Sequence, residues 1–385
     1  MHSTKSHVIS TMEILRNVYR NKRVWLTGGT GFKGSWLSEW LLALGAEVAV
    51  FSLPPPTEPA LFNQLGLSAR LQWQEGDICN AGCLRKSLLD FEPDFVFHLA
   101  AQPLVRLSYD QPLETYATNV MGTAHVLNAL RGLKKPCSAV FITTDKCYEN
   151  REWLHAYREE DPLGGYDPYS SSKAASEIAI SSWRRSFFSS HPVKIASGRA
   201  GNVIGGGDWA ADRIVPDCIR ALQAGQAVPI RNKTATRPWQ HVLEPLSGYL
   251  LLAAKMAAPL DPRPVDGTAF FTGPRPSALD PLCSAFNFGP TLASNRTVAD
   301  LVQEILKHWP GEWQDKSDPN ALHEAGKLNL ATDKAFHLLG WQPRWDFSTT
   351  IEKTAAWYQE AANCRCPEDF STLTLRQIDQ YQNGE

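Results

Sequence analysis

The stretch "RVWLTGGTGFKGSWLSEWLLALGAEVAVFSL", residues 23 to 53, decides the fold of this chain. Residues 24 to 26 form a short apolar run, and apolar residues from Trp36 to Leu44 then recur at helical spacing. Gly45 is placed to end that helix before a second apolar run, "EVAVF". This order predicts a strand, a tight glycine turn, a helix and a second strand parallel to the first.

The same alternation continues along the chain. "DFVFHLAA", "SAVFITT" and "VKIASGRAGNVIG" are typical of strands, and "YATNVMGTAHVLNAL" and "YSSSKAASEIAISSWRRSF" of helices. Strands that alternate with helices of this length predict a parallel sheet covered on both faces. The predicted fold class is therefore α/β, a Rossmann-type doubly wound parallel sheet with a smaller, mixed α/β C-terminal domain, because loops and charges dominate beyond about residue 200.

Composition limits the possible partners. The chain has 385 residues, 43% of them hydrophobic, and its 38 Lys and Arg against 40 Asp and Glu give a net charge of −2. This balance gives no reason to expect nucleic acid or an anionic membrane as a partner. No signal-type start and no run of about 18 apolar residues is present, so we expect a cytoplasmic protein. The eight cysteines are scattered, and their spacing favours neither a metal site nor a disulfide framework.

Three glycines mark a candidate phosphate-binding turn. Gly28, Gly31 and Gly34 have GxxGxxG spacing between the first strand and the helix, where a dinucleotide pyrophosphate can bind the exposed N–H groups of the helix. Asp77 in "GDI" is a candidate ligand of an adenine amino group, with capping of the following helix as the open alternative. The second strand ends at Ser52 and lacks the Asp or Glu expected about 20 residues past the glycines, so this position leaves NAD against NADP open.

A second pattern carries proton chemistry. Tyr169 and Lys173 in "YSSSK" are four residues apart, on one face of a predicted helix. A free tyrosine has a pKa of about 10, and a lysine ammonium beside it favours the phenolate. Such a pair can take a proton from a sugar hydroxyl while hydride leaves the same carbon. The spacing alone is common on solvated helix faces, but after the glycine turn of a doubly wound sheet it indicates an active site.

These motifs together resemble the extended short-chain dehydrogenase/reductase family. "TGGTGFKG", "HLAAQ", "TNVMGT", "YSSSK" and "LGWQPRW" follow the family's order over nearly the whole chain. The resemblance implies NAD as the cofactor. The residues that it places at the cofactor are Gly28, Gly31, Phe32, Lys33, Gly34, Ser52, Asp77, Ile78, Ala100, Ala101, Gln102, Asn119, Tyr169 and Lys173.

The set Thr144-Asp145-Lys146, which follows the strand "SAVFI", is similar to that of one branch of the family. Nucleotide-sugar 4,6-dehydratases show Thr-Asp-Glu there, epimerases usually show a small Ser/Thr pair, and the lysine in place of glutamate resembles the branch that acts on CDP-D-glucose. One position departs from that branch, because Gly29 stands where it has histidine.

The resemblance implies a three-step reaction on CDP-D-glucose that yields CDP-4-keto-6-deoxy-D-glucose and water for deoxysugar biosynthesis. Tyr169 deprotonates the 4-hydroxyl while C4 gives hydride to NAD. Lys173 assists it, and Thr144 is hydrogen-bonded at O4. Asp145 then protonates the leaving 6-hydroxyl as C5 loses its proton, and hydride returns to C6. Lys146 is either the C5 base, which requires a strongly lowered pKa, or a group that positions water or substrate.

Substrate phosphates need local positive charge, because the chain as a whole offers none. The resemblance places Asn202, Arg213 and Arg237 at the pyrophosphate, and the arginine fork suits that task. Arg231 is a further candidate, with a solvated basic loop as its alternative. Two more predicted pocket residues follow "AAQPLV", namely Arg106 and Ser108.

The predicted organisation has three parts. Residues 1–21 are an N-terminal extension, residues 22–200 with about 237–258 form the NAD-binding domain, and residues 201–236 and 259–385 form the nucleotide-sugar-binding domain. Residues 259 to 282 are rich in proline and glycine and are expected to form a surface loop. The resemblance also implies a homodimer or homotetramer, with pairing through the "TNVMGT" and "YSSSK" helices.

Two other functions stay open. One is a nucleotide-sugar 4-epimerase or a dehydratase for a UDP- or dTDP-sugar; the Asp145-Lys146 pair argues against the epimerase, and only the resemblance argues against another nucleotide. The other is a non-catalytic NAD(P)-sensing protein, which has no need of Tyr169, Lys173 and Asp145 together.

Overall fold

The computed structural model describes residues 11–258, 280–317 and 326–384. The expected surface loop at 259–282 lies outside these residues except at its last three positions. The strands are β1 (Arg23–Thr27), β2 (Glu47–Ser52), β3 (Gln72–Glu75), β4 (Phe95–His98), β5 (Cys137–Ile142), β6 (Val193–Arg199), β7 (Val203–Ile204), β8 (Val228–Ile230), β9 (Thr236–Pro238), β10 (Gln240–His241), β11 (Ala285–Asn287), β12 (Asn295–Thr297) and β13 (Trp313–Asp315).

The helices alternate with the strands in the first half of the chain and dominate its end. They are α1 (Thr11–Tyr19), α2 (Phe32–Ala43), α3 (Leu61–Gln64), α4 (Ala81–Phe91), α5 (Val105–Asp110), α6 (Pro112–Tyr116), α7 (Gly122–Leu130), α8 (Pro168–Phe187), α9 (Ile214–Gln223), α10 (Leu243–Ala257), α11 (Val298–His308), α12 (Asp333–Leu339), α13 (Phe347–Ala361) and α14 (Pro367–Asn383). Short 3₁₀ turns at Leu67–Ala69, Asp145–Cys147 and Leu292–Ser294 and a π-helical turn at Ala117–Met121 complete the set.

Seven parallel strands form the central sheet in the order β3-β2-β1-β4-β5-β6-β11. β1 pairs with β2 on one side and with β4 on the other, so the strand order reverses between β1 and β4. Ligands of doubly wound sheets bind at this switch point, outside the carboxyl ends of the strands. The predicted fold class is confirmed.

The sheet is covered on both faces, as its apolar strands predict. All six residues of β5 are buried, which fits a strand with no solvated face. One apolar cluster joins α2, α10 and the C-terminal helices to the sheet, with Trp36 and Trp40 among its largest buried side chains. A second cluster packs α4 and α7, through Leu88 and Leu127, against the opposite face.

The structure also refines the predicted organisation. Leu15 and Tyr19 of α1 are buried, and the Tyr19 hydroxyl donates to Leu250 O of α10 at 2.7 Å, so this part of the extension packs on the Rossmann core. β11 lies in the segment predicted to belong to the second domain, yet it extends the central sheet beside β6. We therefore place β11 with the sheet and keep the division into domains as a proposal. In the described ranges no helix combines the length and the apolar character needed to cross a membrane.

Candidate active site

The glycine turn between β1 and α2 has the shape that a dinucleotide phosphate requires. Gly28 has a φ of +69°, and a Cβ there would lie 2.7 Å from the backbone nitrogen of Ala100. A Cβ on Gly34 would lie 2.2 Å from Gly28 O, so the helix is pressed against the turn. Gly31 caps α2 without a side-chain hydrogen bond, which leaves the first N–H groups of the helix available to an anion.

The ends of β2 and β3 hold the predicted adenosine-side residues. Asp77 Oδ1 accepts from the backbone N–H of Cys79 at 2.8 Å, whereas Asn80 caps α4, so capping of this helix by Asp77 is excluded. Ser52 ends β2, and its hydroxyl is buried without a hydrogen-bond partner among the described residues. Ile78 is buried so close to α7 that a Cβ on Gly122 would lie 2.4 Å from its Cδ1.

Hydrogen bonds from β1 and from the π-helical turn at Ala117–Met121 hold the loop after β4 in place. Ala100 N–H donates to Thr27 Oγ1 at 3.2 Å. Gln102 N–H donates to Asn119 Oδ1 at 2.8 Å, and Asn119 Nδ2 donates back to Gln102 O at 3.1 Å. Asn119 thus supports the loop, and with it the half-buried Ala101, and its side chain is already engaged by the protein.

Three predicted catalytic residues meet at the carboxyl end of β5. Thr144 Oγ1 donates to Asp145 Oδ1 at 2.9 Å, and the Tyr169 hydroxyl shares a hydrogen bond with Thr144. All three residues are at least nine-tenths buried. Lys146 is half-buried in the same 3₁₀ turn, where its N–H donates to Thr144 Oγ1 at 3.3 Å.

The position of Tyr169 follows from how α8 begins. Asp167 caps the helix by accepting from Ser170 N–H at 2.8 Å, and Pro168 stands in the first turn, where a missing N–H costs nothing. The backbone N–H of Tyr169 donates to Ser108 Oγ at 3.1 Å. Ser108, predicted to line the substrate pocket, is fully buried, and its hydroxyl holds the start of α8, the helix that carries Tyr169.

The charges of the pair differ from the prediction. Burial raises the pKa of Tyr169 to about 12, and the hydrogen bond with Thr144 and the charge of Arg213 offset part of that rise. The YxxxK pattern predicts a Tyr169 pKa lowered toward neutral pH, and the residues of the chain alone do not produce that shift. Burial also lowers the pKa of Lys173 to about 8, which leaves this amine mostly cationic at neutral pH.

Lys33, predicted only as a cofactor residue, faces the catalytic groups. Burial, together with the charges of Arg213 and Lys173, lowers the pKa of Lys33 to about 8, although the carboxylates of Asp145 and Asp208 oppose this shift. This side chain makes no hydrogen bond or ion pair with the described residues. Its neighbour in the motif is Phe32, whose ring lies within 3.2 Å of the position of a Cβ on Gly205.

The predicted phosphate ligands differ in how far the protein already engages them. Arg213 Nη1 donates to Asp208 Oδ2 at 3.0 Å and is a third exposed. Arg231 forms ion pairs with Asp212 and Asp217, so its charge is largely used within the chain. Of the two remaining arginines, Arg237 donates a hydrogen bond to Thr236 O at 2.9 Å. Arg106 lies on α5 and is exposed.

The structure adds one residue that the sequence patterns do not point to. Glu177, fully buried on α8, accepts from Thr143 Oγ1 at 2.5 Å, Ser197 Oγ at 2.9 Å and Arg199 Nη2 at 2.9 Å. It therefore ties the catalytic helix to the ends of β5 and β6. In the sequence, only the spacing of Glu177, two helical turns after Tyr169, could have indicated that both lie on one face of α8.

Comparison with known proteins decides the family. The family model described as GDP-mannose 4,6 dehydratase matches residues 26–260. The chain belongs to the GDP-mannose 4,6 dehydratase family. The predicted resemblance to nucleotide-sugar 4,6-dehydratases is confirmed.

Individual members of this dehydratase family and its structural neighbours give further context. The CDP-glucose 4,6-dehydratase of Salmonella typhimurium is 44% identical over 375 residues, 96% of this chain and 98% of that protein. The structure of DesIV (dTDP-glucose 4,6-dehydratase) from Streptomyces venezuelae, with NAD and TYD bound, has a TM-score of 0.71 at 23% identity and covers 88% of this chain and 97% of its own. UDP-glucose 4-epimerase from Thermotoga maritima has a TM-score of 0.69 at 22% identity, covering 88% and 99%. Because dehydratase and epimerase structures superpose equally well, the fold alone does not separate the two reactions.

Proposed function

We propose that the chain is a CDP-D-glucose 4,6-dehydratase that uses NAD. The observation that carries the reaction is the hydrogen-bonded series Tyr169, Thr144 and Asp145, which places an acid beside the base of the oxidation step. A carboxylate beside Thr144 has no task in 4-epimerisation. The 44% identity to a CDP-glucose 4,6-dehydratase over nearly the full length of both chains supports CDP as the nucleotide.

NAD, held at the turn from Gly28 to Gly34 and at the loop from Ala100 to Gln102, would supply a hydride acceptor and donor. The turn fits such a group because its glycines leave no Cβ above the helix N–H groups and its helix has no side-chain cap. Because β2 ends at Ser52, the end of that strand offers no carboxylate to the ribose hydroxyls, so NAD in preference to NADP rests on the family.

The chain's own residues move the protons. Tyr169 takes the proton of the 4-hydroxyl, and the charge of Arg213 and the hydrogen bond with Thr144 favour the phenolate that does so. Lys173, one turn along α8, is the proposed second cation that favours the phenolate. In the elimination, the C5–H and C6–O bonds break and a C5=C6 bond forms, while Asp145 protonates the leaving hydroxyl so that it departs as water. Lys146, next to Asp145, is the proposed C5 base or positioning group.

Phosphate binding is proposed for Arg213 and Asn202, and Arg106 and Arg237 stay further candidates. Arg213 is partly exposed and has one carboxylate partner, Asp208, among the described residues, so it can add a phosphate contact. Arg231 is a weaker candidate, because a phosphate would have to displace Asp212 and Asp217. Self-association as a homodimer or homotetramer and a cytoplasmic location stay predictions.

The test is to incubate the purified chain with NAD and, in separate reactions, CDP-, UDP- and dTDP-glucose. Loss of one water from CDP-glucose alone, followed by mass, is the expected result. Water loss from another nucleotide would keep the mechanism and overturn the substrate. Exchange between glucose and galactose configurations without water loss would favour the epimerase, and bound NAD with no chemistry would favour a sensor.

A further inference from the structure

Gln240 links the motif "RPWQHV" to the loop behind the catalytic site. It lies in β10, is 1% exposed, and its side-chain Nε2 donates to Gly201 O at 3.0 Å and to Phe288 O at 3.1 Å. Its backbone N–H donates to Asn202 O at 3.3 Å. Both residues of the Gly201–Asn202 loop are therefore held by this one glutamine.

The Gly201–Asn202 loop packs directly against the carboxylate of Asp145. A Cβ on Gly201 would lie 2.0 Å from Asp145 Oδ2 and 2.2 Å from Oδ1, so the backbone of the loop touches the carboxylate. Asn202 has a φ of +49°, a conformation that a non-glycine residue keeps only when its surroundings impose it, and its amide lies 3.5 Å from Asp145 Oδ2. Thr144 holds the other oxygen, so the carboxylate is confined between the two.

We propose that Gln240 is a positioning residue for Asp145: by clamping the Gly201–Asn202 loop it fixes the carboxylate that protonates the leaving 6-hydroxyl. This inference rests on the proposed function, since only an elimination needs that proton. The reacting geometry must hold to within about 1 Å, and a misplacement of that size costs on the order of 100-fold in rate.

A purely structural role makes a different prediction. If Gln240 only satisfied two buried carbonyl groups, its loss would lower stability and would slow both halves of the reaction alike, or neither. A positioning role slows the elimination more than the oxidation at C4, because Tyr169 and Lys173 stand on α8 and, among the described residues, no hydrogen bond joins them to the loop. The ratio of the two rates therefore separates the readings.

The experiment compares Gln240→Met with the unchanged chain and with Gln377→Met, a control that removes another buried glutamine whose Nε2 donates to a carbonyl, Lys353 O. In single turnovers with CDP-D-glucose and NAD, formation of reduced nicotinamide is followed by absorbance and water loss by mass. We expect Gln240→Met to form reduced nicotinamide within about threefold of the unchanged rate and to lose water ten- to a hundredfold more slowly. Gln377→Met should keep the original ratio.

A second variant keeps the test open if Gln240→Met does not fold. Gly201→Ala places a methyl group against the Asp145 carboxylate and so displaces it. This variant should accumulate reduced nicotinamide in the same way as Gln240→Met. An unchanged ratio in both variants overturns the inference and leaves the proposed function standing. Failure of the unchanged chain to remove water from any nucleotide sugar overturns both.

Discussion

At the scale of single residues, the charge of Lys173 should set the upper limit of the pH range. Burial lowers its pKa to about 8, so the amine is cationic below that pH and neutral above it. Loss of the cation removes support for the Tyr169 phenolate, and we expect kcat to fall as pH rises through about 8. Lys173→Arg keeps its charge at every working pH, so it should lose this basic limb while turning over more slowly, because the guanidinium has a different shape.

Lys33 provides the matched control, because burial lowers the pKa of its amine to about 8 as well. The measurement is kcat against pH for the unchanged chain, Lys173→Arg and Lys33→Arg. A basic limb that persists in Lys173→Arg and vanishes in Lys33→Arg would assign the titration to Lys33 and contradict the prediction.

Local patterns predict the candidate catalytic residues, and non-local pairing decides which of the other candidate side chains are free to bind a ligand. "YSSSK" and Thr144-Asp145 are short motifs at element ends, and in the structure Tyr169, Thr144 and Asp145 form one hydrogen-bonded series, while their catalytic role stays a prediction. Whether an arginine is available depends on carboxylates elsewhere: Arg231 meets Asp212, 19 residues away. The hydrogen bond from Gln240 to Gly201 O could not be predicted from local patterns for the same reason, because it spans 39 residues.

At the scale of elements, Glu244 joins three parts of the chain. This fully buried residue of α10 accepts from Arg344 N–H at 2.9 Å, Trp345 N–H at 2.7 Å and the Tyr381 hydroxyl of α14 at 2.7 Å. Burial raises its pKa to about 7, well above the value of about 4.3 expected in the unfolded chain. Its protonated form therefore contributes stability that is fully present below pH 4.3 and is lost as pH rises through 7.

Glu244→Gln should remove this dependence, since the amide keeps an acceptor for the two backbone N–H groups and does not titrate. The stability of the variant relative to the unchanged chain should rise with pH between about 4.3 and 7, by at most about 1.4 kcal/mol per pH unit. Urea unfolding at several pH values measures it, with Glu360→Gln, an exposed partner of Arg376, as the control. A relative stability that stays constant or falls with pH would show that Glu244 is ionised throughout.

At the scale of the whole molecule, the C-terminal helix α14 packs against α2, the first helix after β1. Arg70 donates to both carboxylate oxygens of Glu39, at 2.7 and 3.0 Å, and Ser371 of α14 donates to the same carboxylate at 2.6 Å across 332 residues. Glu39 is fully buried in α2, the helix that presents the phosphate turn, so the C-terminal helix supports the cofactor side. No local pattern predicts such a contact, because its two sides become neighbours only after the sheet has formed.

Arg70→Met should therefore destabilise the fold more than the loss of a surface ion pair. It leaves the Glu39 charge buried without its cationic partner and with only the Ser371 hydrogen bond of those described above, which costs about 3 kcal/mol, the lower end for such a pair because the Arg70 side chain is 36% exposed. The double variant Arg70→Met with Glu39→Met should regain most of that free energy, since two apolar side chains leave no charge unpaired. Lys86→Met, which removes a well-exposed pair with Asp90, should leave the unfolding midpoint in the same urea titrations nearly unchanged. Equal losses for Arg70→Met and Lys86→Met would contradict the prediction, because the Glu39 carboxylate would then be solvated and the C-terminal helix would not be held through it.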